Sequence, residues 1–184
     1  ARRAARGLRP DLSKAVVTRS GRLDPSLRFF TEGDADRYVF SPYDIPELEA
    51  VADGMIEIIE KAQRPDGYLD TYFIIKEPKK RWSNLYECHE MYVAGHIIEA
   101  AAAYYLATGK RRLLDVACRL ADHIESVFGT EPEKIQGYPG HQEIELALVK
   151  LYQATQNEKY LALSKFFIDQ RGKKPNYFQK EWEG

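Results

Sequence analysis

Beyond residue 44, apolar residues recur at spacings of three and four, the period of an α-helix with one buried face. Leu48, Val51, Met55, Ile59 and Ala62 share such a face, so residues 44–62 are expected to be helical. Asp44 can cap this helix, Pro46 sits in its first turn and Glu47 completes a capping-box spacing. Pro65-Asp66-Gly67 supplies turn chemistry that stops it. Tyr68 to Ile75 keeps no helical period and is expected to be extended, and Pro78 lies in a loop. From His89 to Ala107 the chain is apolar nearly all round and alanine-rich (Ala100 to Ala103), which predicts a helix buried on most sides. After a break at Thr108-Gly109-Lys110, residues 111–128 show a single stripe of Leu113, Val116, Leu120, Ile124 and Val127 opposite charged Arg112, Asp115, Arg119 and Asp122. A loop over 129–140 follows, then helices over 141–155 and 158–170 separated by Gln156-Asn157. Gly172 and Pro175 end the last of them.

The helical segments repeat. Tyr105, Thr108, Leu114 and Asp122 recur 47 residues later as Tyr152, Thr155, Leu161 and Asp169. Gly67-Tyr68, Gly137-Tyr138 and Asn176-Tyr177 mark successive long loops. The unit is helix, short turn, helix, long loop, and it must stack on neighbours to bury its faces. The period is longer than that of tetratricopeptide arrays and lies at the edge of the HEAT range. An apolar inner helix followed by an amphipathic outer one favours an α/α toroid. The expected class is therefore all-α, with helical hairpins forming part of an (α/α)6 toroid and the long loops on one rim, where function usually sits.

Composition narrows the function. Of 184 residues, 44% are hydrophobic and 30% charged, which suits a folded domain. No apolar run reaches the roughly 20 residues of a membrane helix. A net charge of −1 argues against nucleic acid as the main partner. Residues 1–22 carry seven basic groups and one acid, a local +6 that leaves −7 for the rest. With no apolar core for a secretory signal, residues 1–45 are expected to be a poorly assigned, partly disordered leader, and residues 46–184 the partial toroid. Cys88 and Cys118 cannot build a disulfide framework and suit a reducing compartment, so the expected location is cytoplasmic.

Few residues can carry chemistry. His89 and His141 each open an inner helix after a long loop, so both should face one rim. Around them stand Trp82, Asn84, Tyr86, Glu90 and Tyr92 in one loop and helix start, and Tyr138 and Glu143 in the other. Imidazoles and tyrosines suit sugar hydroxyls, and aromatic faces cover sugar rings. The competing explanation is that each histidine merely caps or packs a helix, and its recurrence in successive units weakens that explanation. His89 and His96, seven residues apart, stand about 10 Å apart along a helix, too far for one zinc ion. His96 is expected to be a satisfied core histidine. His123, near a helix end where a cation is mildly favoured, is expected to be structural. Cys88 adjoins His89, but neighbouring side chains at a helix start diverge, which is a weak case for a Cys–His nucleophile. Cys118 is expected to be a small buried hydrophobe. Glu90, Glu143 and Glu145 are candidate carboxylates for glycosidic cleavage, with no spacing that selects a pair.

Four stretches resemble hallmarks of the β-L-arabinofuranosidase family, glycoside hydrolase family 127. They are residues 63–73 (QRPDGYLDTYF), 88–100 (CHEMYVAGHIIEA), 137–145 (GYPGHQEIE) and 167–172 (FIDQRG), and the resemblance spans about 46–184. Val93 stands where the family often has cysteine. The resemblance implies an (α/α)6 toroid that removes terminal β-L-arabinofuranose with retention of configuration. It implies a zinc-bound cysteine thiolate nucleophile and a glutamate acid/base. Both these and the remaining zinc ligands belong to a segment after the motifs present here. It further implies that His89 and His141 contact the sugar. The expectation is a fragment holding about half the sugar pocket, with no catalytic residue and no metal ligand of its own and with zinc needed only by the full-length enzyme. Its expected partners are a small L-arabinofuranoside and, through open half-toroid faces, further copies of itself, with no nucleic acid and no membrane. Two alternatives remain: a non-catalytic helical-repeat scaffold that binds a protein partner, and another six-hairpin glycosidase such as an unsaturated glucuronyl hydrolase. The latter needs a cation for a carboxylate, for which Arg64 and Arg81 are the candidates.

Overall fold

The structure is a computed structural model that describes residues 14–17, 37–40 and 45–183. The chain divides into two compact units, residues 1–55 and 56–184. In the first, β1 (Lys14–Val17) pairs in parallel with β2 (Arg37–Phe40), with Lys14 opposite Arg37 and Val17 opposite Phe40. The rest of the expected leader, and the Asp44 cap, lie outside the described residues. Helix α1 (Ile45–Ala62) forms where the apolar spacing predicts it. Only the C-terminal end of its stripe, Ile59 and Ala62, packs against the core. Leu48, Val51 and Met55 are exposed, because periodicity makes an apolar face without supplying a partner for it.

The second unit is all-α, built of helical hairpins. Short helix α2 (Thr71–Ile75) replaces the extended segment expected there. The Asp70 carboxylate accepts from the backbone N–H groups of Tyr72 at 3.0 Å and Phe73 at 3.3 Å, an N-cap that turns the chain and buries Phe73. So short a helix gives periodicity nothing to work on. Helices α3 (Glu90–Thr108), α4 (Arg112–Val127), α5 (Ile144–Thr155) and α6 (Glu158–Arg171) form two successive hairpins, and α7 (Tyr177–Glu183) closes the described chain. Helix α3 packs on both α4 and α5, and α5 packs on α6. The α3–α5 contact is thus the spine, and α4 flanks it with Leu113, Val116, Leu120 and Ile124 buried as the stripe predicts.

Helix α3 is less enclosed than its composition suggests. Met91, Ala94, Gly95, Ile98, Ala101 and Ala102 are buried, while Tyr92, Val93, Ala100 and Ala103 are exposed. Its two neighbours cover only part of its circumference. The 47-residue repeat is visible at atomic level in the short turns. The left-handed C-caps are Gly109 (φ 74°) and Gln156 (φ 58°), whose N–H groups donate to Tyr105 and Tyr152 at 2.7 Å. Thr108 and Thr155 each donate to the carbonyl four residues back, Tyr104 and Leu151, at 2.7 Å. The equivalence fails at Leu114, wholly buried, and Leu161, 38% exposed. Among the described residues no helix is long and apolar enough to cross a membrane.

Candidate functional site

The long loop before α3 brings His89 to the N-cap of that helix in a left-handed conformation, φ 57° and ψ 15°. Such a backbone is uncommon for a side-chain-bearing residue. His141 lies in the turn three residues before α5 rather than within the helix, a small correction to the expected boundary. Because α3 and α5 are packed together, the two loops meet. His89 Nε2 and His141 Nε2 stand 3.0 Å apart, with ring centroids 4.9 Å apart and planes 29° from parallel. Both histidines are exposed, and with Tyr86, Glu87 and Gly140 they line a cleft of about 330 Å3. His89 Nδ1 contacts the Glu87 carbonyl, which can only accept, so in the neutral ring Nδ1 carries the proton and Nε2 is left as an acceptor. His141 then donates from its own Nε2. The pair presents one acceptor and one donor side by side, the complement of a hydroxyl pair on a sugar.

Tyr92, one turn along α3, has its ring 5.3 Å from His141 and 6.0 Å from His89, and is exposed. His96 follows, edge-on to Tyr92 at 4.5 Å. It is not a core histidine: its side chain is 52% exposed, and Nδ1 faces Glu143 Oε1 at 3.3 Å. Burial, then the adjacent Glu99 carboxylate, raises the Glu143 carboxyl above the ordinary range.

Other sequence candidates face inward. Trp82 and Tyr138 are core residues, which removes them as sugar platforms. Trp82 Nε1 donates to His123 Nε2 at 3.3 Å, and His123 Nδ1 donates to the Asp66 carbonyl at 2.9 Å. His123 is therefore structural, as expected. Burial lowers its pKa, so it is a neutral bridge rather than a helix-end cation. Glu90 is 4% exposed, hydrogen-bonded by the Tyr68 hydroxyl and by the Trp82 N–H at 2.8 Å. Burial pushes its carboxyl up to about 7. Glu145 is buried and accepts from Arg171 at 3.0 Å. Glu90 and Glu145 are thus engaged with protein groups, whereas Glu143 Oε1 lies sealed beside His96 without a hydrogen-bond partner. Arg81 lies over the Tyr68 ring, 4.1 Å from its centroid, and pairs with Asp66 at 3.2 Å, so it is committed away from a ligand carboxylate.

The family model of the β-L-arabinofuranosidase GH127 catalytic domain matches residues 35–183. The chain belongs to glycoside hydrolase family 127. A non-reducing end β-L-arabinofuranosidase of Bifidobacterium longum subsp. longum is 41% identical over 174 residues, covering 88% of this chain and 26% of that protein. The crystal structure of a GH127 β-L-arabinofuranosidase from Geobacillus stearothermophilus T6 is 62% identical, with a TM-score of 0.73 over 75% of this chain and 22% of that one. A second GH127 β-arabinofuranosidase structure is 44% identical, with a TM-score of 0.66 over 69% of this chain and 21% of that one. The chain therefore spans about a quarter of the length of these relatives.

The family 127 motifs are the corners of this site. Residues 88–100 and 137–145 carry the histidine pair and the α3–α5 contact, whereas 63–73 and 167–172 supply the buried Tyr68 and the Arg171 that support the two loops. Sequence reasoning missed the direct His89–His141 contact and the His96–Glu99–Glu143 group, which only the approach of α5 to α3 brings together. The zinc that the family resemblance implies finds no group of ligands at the cysteines described here. Among the described residues, the one group of three potential ligands, His96, Glu99 and Glu143, includes neither Cys88 nor Cys118.

Proposed function

We propose that this chain supplies part of the sugar pocket of a retaining glycoside hydrolase that removes terminal β-L-arabinofuranose, within an (α/α)6 ring of hairpins. The observation that supports this reading is the apposed His89–His141 pair on the long-loop rim, one imidazole accepting and the other donating. A furanose hydroxyl donating to His89 and a second accepting from His141 would replace the bond the two rings make to each other. Tyr92 would offer its exposed face beside them. The thiolate nucleophile, its zinc and the acid/base would come from residues other than those of this chain. Of the candidate carboxylates, Glu90 and Glu145 are buried and hydrogen-bonded, and both cysteines are half-buried free thiols. The two unpaired cysteines are in keeping with a reducing, cytoplasmic setting.

The test uses the full-length family 127 enzyme carrying these residues. His89→Ala and His141→Ala should each lower kcat/KM about fivefold or more, the value of one hydrogen bond of ~1 kcal/mol, with Tm unchanged. Lowered Tm with unchanged kinetics would return both histidines to a structural role. The chain by itself should not hydrolyse p-nitrophenyl β-L-arabinofuranoside, with or without zinc. Turnover abolished by Cys88→Ser would place the nucleophile here after all.

The scaffold alternative rests on a separate observation. Ile58, Ile59, Tyr72, Val93 and Ile97 line an apolar groove of about 380 Å3. In the toroid reading this face meets another hairpin, so the isolated chain should self-associate or bind ANS. A monodisperse monomer without dye binding would count against an open toroid face.

A further inference from the structure

Helix α3 and the N-cap of α5 bring together three groups that the sugar reading does not use. His96 Nδ1 is 3.3 Å from Glu143 Oε1 and 3.7 Å from Glu99 Oε2, and one ligand atom from each residue lies within 4.8 Å of the others. Ligands bound tetrahedrally at about 2.0–2.2 Å from a zinc ion stand about 3.3–3.6 Å from one another. The two measured separations from His96 are those of a tetrahedron's edges with small adjustment.

A second observation points the same way. Glu143 Oε1 is sealed from solvent and has no hydrogen-bond partner, although a buried acceptor left unmatched is costly. A Cβ on Gly95 would stand 2.5 Å from Glu143 Cγ, so only glycine lets α3 and the start of α5 close around this side chain. Glu99 is held by Lys150, but through Oε1, so Oε2 still faces the group. The His96 side chain is half exposed, so water can reach the group and complete the coordination of an ion.

We propose that His96, Glu99 and Glu143 form a binding site for a divalent transition-metal ion, with zinc as the best match. One imidazole and two carboxylates suit a borderline cation. Magnesium would ask for an octahedral set of oxygens. The ion would tie α5 to α3 directly beneath the histidine pair, and the proposal stands whether or not that pair binds a sugar. Lys150 competes with the ion for Glu99, which gives the site a distinctive sign: removing this cation should strengthen metal binding.

The test is titration of the metal-free chain with zinc, followed by thermal unfolding, and with cobalt, whose visible absorption reports tetrahedral coordination. We expect a saturable one-to-one rise in Tm and a cobalt band that zinc displaces. His96→Asn and Glu99→Gln, both at solvent-accessible positions, should each weaken binding at least tenfold with helicity unchanged. Lys150→Met should tighten it severalfold. His141→Ala should leave it intact. This last variant matters because the His89 and His141 nitrogens, 3.0 Å apart, are the obvious competing site. Absence of saturable binding overturns the proposal. So does loss of binding in His141→Ala with retention in His96→Asn, and so does weaker binding in Lys150→Met.

Discussion

The loop corners beneath α3 and α5 are made of the same parts wired differently. Each has a wholly buried tyrosine after a glycine, an arginine over that ring and a buried glutamate in the first turn of the inner helix. Arg81 lies 4.1 Å from the Tyr68 centroid and Arg171 lies 4.7 Å from that of Tyr138. In the second corner Arg171 donates to Glu145 at 3.0 Å and to the Pro139 carbonyl at 2.9 Å, while the Tyr138 hydroxyl goes to Asn176 at 2.6 Å. In the first corner Arg81 turns to Asp66 instead, and Glu90 is left to the Tyr68 hydroxyl and a backbone N–H. One buried carboxylate is charge-compensated and the other is not. A shared motif therefore fixes the shape of a corner without fixing its electrostatics.

Removing the arginine of the compensated corner should have the largest effect. Arg171→Met strands the Glu145 carboxylate, whose second oxygen already lacks a partner. Breaking a buried pair from one side costs about 3–5 kcal/mol, to be measured by chemical denaturation. The Arg171→Met/Glu145→Gln double variant should recover much of that loss. Equal loss in both would mean that Arg171 acts through its stacking on Tyr138 and not through charge.

The glycines of the two corners should differ next. Gly67 has φ 86°, and a Cβ there would stand 2.3 Å from the Arg119 carbonyl oxygen, which is backbone and cannot swing away. At Gly137 the nearest atoms, Leu85 Cδ1 and Tyr177 Cζ at 2.7 Å, belong to side chains. Gly67→Ala combines left-handed strain of about 1–3 kcal/mol with a backbone collision. Gly137→Ala can be relieved by repacking and should cost less. Matching losses of stability would show that the two turns are equally rigid.

The uncompensated corner predicts a pH dependence. Glu90 titrates at about 7 when folded, against 4.5 for a free glutamate. The folded state holds the proton more tightly, so the contribution of Glu90 to stability is greatest below pH 4.5, falls as pH rises from 4.5 through about 7 and is flat above it. Glu90→Gln keeps an acceptor for the Trp82 N–H and never ionises. Relative to the parent it should gain about 1–3 kcal/mol at pH 8 and little at pH 4.5 in Tm measured across that range. Because Glu143 and Glu181 are also raised by burial, the difference between variant and parent isolates Glu90. Parallel pH profiles would show that Glu90 is ionised in the fold at little cost.

Much of this architecture was legible beforehand, and the limits have physical causes. Helices α1, α3, α4, α5 and α6 follow from apolar period and from breaks at Gly109, Gln156 and Gly172. The histidine pair was legible as a shared rim because both residues follow long loops. What a period cannot report is which side of an apolar helix finds a neighbour: Val93 and Leu106 lie in the stretch expected to be buried on most sides and are exposed. Nor does residue type reveal wiring. Trp82 and Tyr138 look like sugar platforms and are buried, since an aromatic ring near a glycine turn serves packing equally well. His96 reads as core because its helix is apolar, and only the approach of α5 shows that Glu143 meets it.

The two short turns at the opposite ends of these helices allow the finest comparison. Gly109 and Gln156 hold equivalent left-handed caps, and a Cβ at Gly109 would meet nothing within 4 Å. Replacement at Gly109 is therefore a backbone experiment free of collision. Gly109→Gln should cost about 1 kcal/mol, the usual penalty for a side chain in this conformation. Gln156→Gly should return up to about 1 kcal/mol, reduced by loss of the Gln156 side-chain bond to the Gln153 carbonyl at 2.9 Å. A swap of the two residues should then be close to neutral. The repeat is structural only if the changes oppose one another. If Gln156→Gly destabilises, its side-chain bond outweighs the backbone strain, and the 47-residue equivalence stops at geometry without extending to energy.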